Sequence, residues 1–402
     1  MLAHSQKIKY FLIYSLLIFS SRGNDISQNI FIGSGIYLIL FIHHWATLKS
    51  FYKEIFLVNT FLILLFFLQS IWSNSVHFLF ILRNLFIVNY GLLVLIILNI
   101  NFIHYYEKAI YHFAIISLFL FPIEVIRFDL VFNIISALQN ILGITTTLSN
   151  STLYSNIFVY TCRTPEIVRN CGFMWEPGPF GNLLAIAILF NIIINKLKYN
   201  KRLLIMVIAL ITTFSTTSYI ALMIVLLFYI INQNHKKIIL LIPIFVIIMI
   251  WVIQIDFIGN KIITLASEPF FKYKETLQFG AKNANQTLGR FAGLIYNYDI
   301  FIQNPLFGIG GNTDLLTFNR SYYFFSTNGL GTFIMTNGIM GIFALLIMYK
   351  KSFLAFTRSY NLKFSIILSL LILITSFSFV HLETPLYFSF LFLHFVYNND
   401  TN

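Results

Sequence analysis

Charge is what this sequence has least of. Asp, Glu, Lys and Arg make up 10% of the chain, where soluble domains carry about 25%. That is too little to cover a water-facing surface. Metal-site spacing is missing as well: the nine histidines form no HxxH or HExxH pair, and the two cysteines form no CxxC. No Gly-x-Ser-x-Gly elbow is present, and no Walker Lys-Ser/Thr follows a glycine cluster. Internal repeats, linkers and low-complexity tails are also absent.

Hydrophobic residues fill the space instead, at 58% of 402 residues. Apolar runs of about 17–25 residues recur from end to end, the length that crosses a bilayer as helix. The runs are continuous, as in NLLAIAILFNIIIN (182–195), where a membrane barrel would alternate. The fold class is therefore all-α, a polytopic integral membrane protein forming one integral domain over residues 1–402.

The formal net charge of +12 does not point to nucleic acid, because no basic domain lies outside the apolar runs. Lys and Arg gather in short connections, KLKYNKR (196–202), NHKK (234–237) and KKSFLAFTRSYNLK (350–363), which is the bias of cytoplasmic loops. With those loops inside, helices are expected near 7–21, 29–48, 54–72, 78–100, 108–126, 180–196, 203–217, 218–232, 238–255, 323–348, 364–380 and 385–397. The first, KIKYFLIYSLLIFSS (7–21), starts like a signal peptide but lacks a clean small-x-small cleavage site. About twelve spans place both termini in the cytoplasm. Two long loops, about 127–179 and 256–322, then lie on the outer face. Miscounting the pair at 203–232 would invert everything before it.

The outer loops hold most of the Gly, Pro, Asp and Glu. In the first, RNCGFMWEPGPF (169–180) turns repeatedly just above a span. Irregular backbone there needs a protein-lined or watery cavity, so Arg169 and Glu176 are expected to face one; an ordinary interfacial turn with Trp175 at the membrane surface is the plainer alternative. Cys162 and Cys171 share this loop, either bridged by a disulfide or simply neighbours. In the second loop, LGRFAGLIYNYDIFIQNPLFGIGGNT (288–313) carries Arg290, Tyr296 and Tyr298. Its GIGG is a weak phosphate-loop signal, more often a tight turn. A guanidinium keeps its charge and grips phosphate oxygens through two parallel hydrogen bonds, so Arg169 and Arg290 converging would make a pyrophosphate site. Arg163 and Arg320 on the same two loops are further candidates for binding substrate. Asn328 opens the helix after the second loop and is a candidate as well. Arg83, inside the fourth expected span, is an ionisable group at membrane depth and so a site candidate by default, with snorkelling or a structural pairing the favoured alternative. FSTTSY (214–219) reads as a tight hairpin between spans.

These features resemble, in order and spacing, the O-antigen polymerase and ligase superfamily, and its Wzy-type polysaccharide polymerases in particular. The matching pieces are Arg169-x-x-Gly172 with Glu176-Pro177-Gly178, Thr213–Ser218, Gly289-Arg290, Asn304-Pro305 with Gly308-x-Gly310, and Asn328. They cover about half of the chain, from 160 to 345. The resemblance implies a membrane glycosyltransferase of lipopolysaccharide or capsule synthesis, acting at the outer face of the bacterial inner membrane on glycans carried by undecaprenyl pyrophosphate. It implies no cofactor and no metal, with membrane lipid and a chain-length regulator protein as candidate partners. Arg169 and Arg290 would hold the pyrophosphate, and Glu176 would orient or deprotonate the acceptor hydroxyl; Tyr296 and Tyr298 would lie on the glycan path. Ligases of the superfamily carry a His where this chain reads Ser326-Thr327-Asn328, which favours a polymerase. A ligase, or a flippase for the same lipid-linked unit, is the alternative.

Overall fold

A computed structural model describes residues 2–73, 75–145, 154–163, 168–233, 285–312, 317–318, 322–363 and 365–397. The first half is helical: α1 (Leu2–Ser21), α2 (Ile30–His43), α3 (Tyr52–Ser73), α4 (Phe78–Leu98) and α5 (Phe102–Ile126). Next come α6 (Phe128–Ile141), a hairpin of β1 (Tyr154–Ile157) and β2 (Tyr160–Arg163), and α7 (Pro177–Ile194), α8 (Lys201–Ile211) and α9 (Thr216–Gln233). A small sheet of β3 (Asn285–Leu288), β4 (Thr317–Phe318) and β5 (Tyr322–Ser326) flanks α10 (Arg290–Phe301). The chain ends in α11 (Gly329–Ser359), α12 (Ile366–Ser378) and α13 (Pro385–Leu391), with a final turn at His394–Tyr397.

Among the described residues five helical stretches are long and apolar enough to cross a membrane. They are Tyr52–Ser73, Phe78–Ile126, Pro177–Ile194, Thr216–Gln233 and Gly329–Ser359. The chain is an all-α, multi-pass membrane protein. Most expected spans fall on these and on shorter apolar helices, while 238–255 lies outside the described residues. Several boundaries differ, three of them near the candidate site. Of residues 203–217, only those up to Ile211 belong to the eleven-residue α8, which lies between Asn200, bonded to Asn191 at 2.8 Å, and Thr212, bonded to Asn170 at 2.9 Å. Residues 128–141, expected as loop, form α6, which buries Val131 and Ile135 and turns Leu130, Ile134, Leu138 and Ile141 outward. The span expected at 323–348 begins at Gly329, because β5 occupies the preceding residues, and runs on to Ser359.

The centre is α7, of which Pro177 to Ile193 are all buried, packed by α5, α8, α9 and α12. In lipid, burial is not driven by water, so close packing and hydrogen bonds must hold helices together. The sequence of α7 supplies both. Gly178, Gly181, Ala185 and Ala187 keep its surface shallow, and Asn182 donates to the Thr375 carbonyl at 3.3 Å. At its far end Asn191 donates to buried Glu107 at 2.7 Å, and Arg202 pairs with the same carboxylate at 3.3 Å. Pro177 and Pro179 fall in the first turn, where a helix leaves its N–H groups unbonded. They therefore start α7 where mid-helix they would break it.

Candidate functional site

The site is assembled at the N-terminus of α7 from four separate stretches of chain. The hairpin is the first. Glu124, buried at the end of α5, accepts a hydrogen bond from the Tyr160 hydroxyl and one from the Cys162 thiol at 3.1 Å. This carboxylate pins β2, so Arg163 at the strand's end reaches Glu176, Nη1 to Oε1, at 3.0 Å.

The second stretch is the loop at 168–176. Asn170 donates to Ser117 Oγ at 3.1 Å and Thr212 Oγ1 at 2.9 Å, while its own Oδ1 accepts from the Gly172 N–H at 3.0 Å. The Gly172 carbonyl accepts from Thr161 N–H at 2.7 Å, closing the loop onto the hairpin. The polar break between α8 and α9 supports the other side. Ser218 Oγ donates to the Gly178 carbonyl at 3.2 Å, so these hydroxyls act as scaffold for the turn. Glu176 is the N-cap residue of α7, in extended conformation, with its side chain turned to Arg163 rather than to the helix N–H groups.

The third and fourth stretches bring Arg290. It begins α10 and lies over the ring of Phe379, 4.8 Å from guanidinium carbon to ring centroid. Phe379 in turn packs so tightly on Gly178 that a Cβ there would lie 2.2 Å from its ring. Arg290 is therefore held directly above the first turn of α7. Asn328 fixes its backbone: Nδ2 donates to the Arg290 carbonyl at 3.2 Å, while Oδ1 accepts from Gly331 N–H at 2.6 Å and caps α11.

Arg290 is within Coulombic reach of Glu176 and Arg169, and Arg169 of Glu176 and Arg163. Burial holds both Arg169 and Arg290 below the ordinary guanidinium range, with Glu176 pulling the other way. Three guanidinium charges thus face one carboxylate at the positive end of an eighteen-residue helix, an arrangement that attracts multiply charged anions.

Other expected site residues take different places. Asn328 is buried with its amide engaged on both sides, which makes it a positioning residue. Tyr296 packs with Ile300, Ile309 and Met335 in a small core, and burial pushes its hydroxyl up to about 12, so it does not line an open glycan path. Tyr298, two residues on, is exposed. Arg320 lies outside the described residues. The disulfide does not form. Cys162 and Cys171 are both free and buried; Glu124 takes the Cys162 thiol, and burial raises both thiols above their ordinary range, with Glu124 adding to it.

GIGG proves to be a wedge. The helix α11 breaks at Gly338, whose φ is +64°, and the N–H groups of Ile309 and Gly310 donate to the Met335 and Thr336 carbonyls at 3.0 Å. In exchange Ile339 and Met340 donate to the Pro305 and Leu306 carbonyls at 2.9 and 3.1 Å. A Cβ on Gly308 would lie 2.4 Å from Thr336 O, and one on Gly338 2.4 Å from Leu306 O. These amides are committed to backbone, not open to phosphate.

Two site residues gave no signal in the sequence. Phe379 is one of 46 phenylalanines. His381 is buried against Trp175, Phe379 and Tyr387, and its Nε2 has no hydrogen-bond partner among the described residues. Burial, with the Arg22 charge behind it, lowers His381 to about 3, so it is neutral and walled off by rings.

Residues 202–344, just over a third of the chain, match the family described as O-antigen ligase. The match takes in Arg290, the wedge and Asn328, and starts after Arg169 and Glu176. No curated protein and no solved structure matches the chain.

Proposed function

We propose that this member of the O-antigen polymerase/ligase superfamily is a repeat-unit polymerase of the bacterial inner membrane. It transfers a growing glycan from undecaprenyl pyrophosphate to the non-reducing end of a newly arrived lipid-linked repeat unit, at the outer face. The observation that carries this reading is the convergence of Arg163, Arg169 and Arg290 on Glu176 above α7.

In the reaction an acceptor sugar hydroxyl attacks C1 of the donor's reducing-end sugar. The bond from C1 to the pyrophosphate oxygen breaks, and undecaprenyl pyrophosphate leaves with the bonding electrons. Arg169 and Arg290 neutralise the charge that grows on that leaving group, where preorganised donors accelerate most. Glu176 takes the hydroxyl proton or orients the hydroxyl. Arg163 aims Glu176. No nucleotide sugar is needed, because the pyrophosphate bond is already activated.

A polymerase is favoured over a ligase by the lack of a histidine at Ser326-Thr327-Asn328, and His381 does not substitute, being enclosed by aromatic rings. The test is complementation of a strain lacking the gene with Arg169→Ala and Arg290→Ala, followed by sizing of the surface glycan on a gel. Both variants are expected to leave a single repeat unit on the acceptor. Lipid-linked polymer left unattached would make the protein a ligase, complete loss of surface glycan would make it a flippase, and unchanged long chains would sink the site.

A further inference from the structure

A second pair of arginines lies on the other side of residues 379–383. Arg22 follows α1 in the left-handed backbone region, φ +53°. Its Nη2 donates to the Glu383 carbonyl at 2.8 Å and lies 3.5 Å from the Glu383 carboxylate. Arg83 comes from the second turn of α4 and borders the same cavity, of about 160 Å³, with Ser27, Gln28 and Glu383. It is exposed and forms no ion pair among the described residues. Its charge opposes that of Arg22, which burial holds at about 10 against the pull of Glu383. The cavity is bordered by two guanidinium groups and one carboxylate, and is left positive. Five residues into α4, Arg83 stands about 7–8 Å along the axis from the helix start.

Glu383 also borders a second cavity, of about 610 Å³, lined almost wholly by apolar side chains such as Phe61, Leu65, Phe333, Leu345 and Phe388. The helix α4 runs between the two, presenting Arg83 and Ile87 to the first and Asn84 and Val88 to the second. A cationic cavity and an apolar slot with a wall residue in common suit one kind of ligand, an anionic head with a long hydrocarbon tail. A free anion has no use for the slot.

We propose that Arg22 and Arg83 form a second lipid-phosphate site, holding the carrier head of the acceptor chain while its tail lies in the apolar cavity. The identity of the occupant as acceptor rests on the polymerase reading, in which both reactants carry a lipid diphosphate. The stretch 379–383 joins this site to the first: Phe379 lies under Arg290, and Glu383 holds Arg22. Four residues of chain span at most about 14 Å, so the attachment points of the two sites cannot separate further than that.

The test counts lipids bound to the purified full-length protein in nanodiscs by native mass spectrometry, with undecaprenyl pyrophosphate as the probe. Wild type is expected to hold two copies. Arg83→Ala is expected to weaken one copy at least tenfold, and Arg83→Lys, which keeps the charge, to retain it and so exclude misfolding. The double variant Arg169→Ala/Arg290→Ala is expected to lose the other copy. A wild type with one copy that Arg83→Ala leaves unchanged overturns the second site and leaves the first standing. Two copies that survive the double variant but fall to one in Arg83→Ala support the second site and overturn the first. A tenfold excess of inorganic pyrophosphate is expected to leave the Arg83-dependent copy bound; its displacement would mark a free-anion site and overturn the lipid assignment.

Discussion

Arg163 and Glu176 meet at 3.0 Å across thirteen residues of chain, one at the end of a strand and the other at the cap of a helix. Both are between a quarter and a third exposed, and such a pair contributes at most about 1 kcal/mol to stability. In the proposed reaction its effect is to set where the carboxylate points. Glu176→Gln is expected to lower turnover at least about tenfold with an unchanged melting temperature. Donor binding should hold or tighten, since one negative charge is removed from beside the pyrophosphate. A fall in donor affinity with turnover preserved would give Glu176 a binding role instead. Lipid-donor titration beside single-turnover rates measures both.

Arg169→Ala and Arg290→Ala should each cost about 100- to 1000-fold in turnover, the loss seen when one donor to developing negative charge is removed. Lysine at either position should recover only part of it, because an ammonium cannot make the planar two-bond grip. Phe379→Leu keeps both arginines but removes the ring under Arg290. With cation–π contacts worth about 1 kcal/mol, turnover should drop about fivefold. A Phe379→Leu variant at full activity would show that Asn328 alone suffices to place Arg290.

Gly338→Ala and Gly308→Ala each place a Cβ 2.4 Å from a backbone carbonyl at a positive φ. Each is expected to lower the apparent melting temperature in detergent by about 5 °C or more. Gly35→Ala is the control. Nothing lies within 4 Å of its added Cβ, and in a helix alanine is favoured over glycine by about 1 kcal/mol, so that variant should melt at or above wild type.

His381 makes stability depend on pH. Its folded value of about 3 lies below its ordinary 6.5, so between those limits the unfolded chain takes up a proton that the folded protein refuses. The contribution is complete above pH 6.5 and is lost as pH falls toward 3, by up to roughly 4 kcal/mol. Melting temperature measured from pH 7.5 down to 4 should fall less steeply in His381→Asn than in wild type. Equal slopes would mean that the buried ring carries none of the acid sensitivity.

Two free thiols are expected on unfolding without reductant. Denatured protein treated with an alkylating reagent should gain two adducts by mass, at Cys162 and Cys171, whether or not it was first reduced. An uptake that requires reduction would restore the bridge. In the folded protein both should react slowly, because burial keeps them protonated.

How much of this was legible in advance depended on the kind of signal. Guanidinium groups in a chain so poor in charge stand out, so Arg169 and Arg290 could be paired before any geometry was known. Tyr296 and Tyr298 were less well served. Two positions apart on a helix, they face about 200° from each other, and one is buried where both were expected on a path. The GIGG wedge was invisible because its partner is a break in α11 whose only mark is one more glycine among several. Cys162 and Cys171 are close in sequence, but the claim on the Cys162 thiol comes from Glu124, 38 residues upstream. Phe379 and His381 could not be found at all, since an aromatic residue near a helix end says nothing of which loop it will meet.

The break in α11 has a mechanical consequence. An open kink in a long helix is a joint, free to bend; this one is plugged by the chain at 305–310, whose carbonyls and N–H groups replace the ones that the helix lost. The two arms of α11 are thereby welded at a set angle. One arm runs to Ser359, and the other begins at the Asn328 cap, which grips the Arg290 backbone. A push on the Ser359 end of this lever arrives at the guanidinium with no slack between.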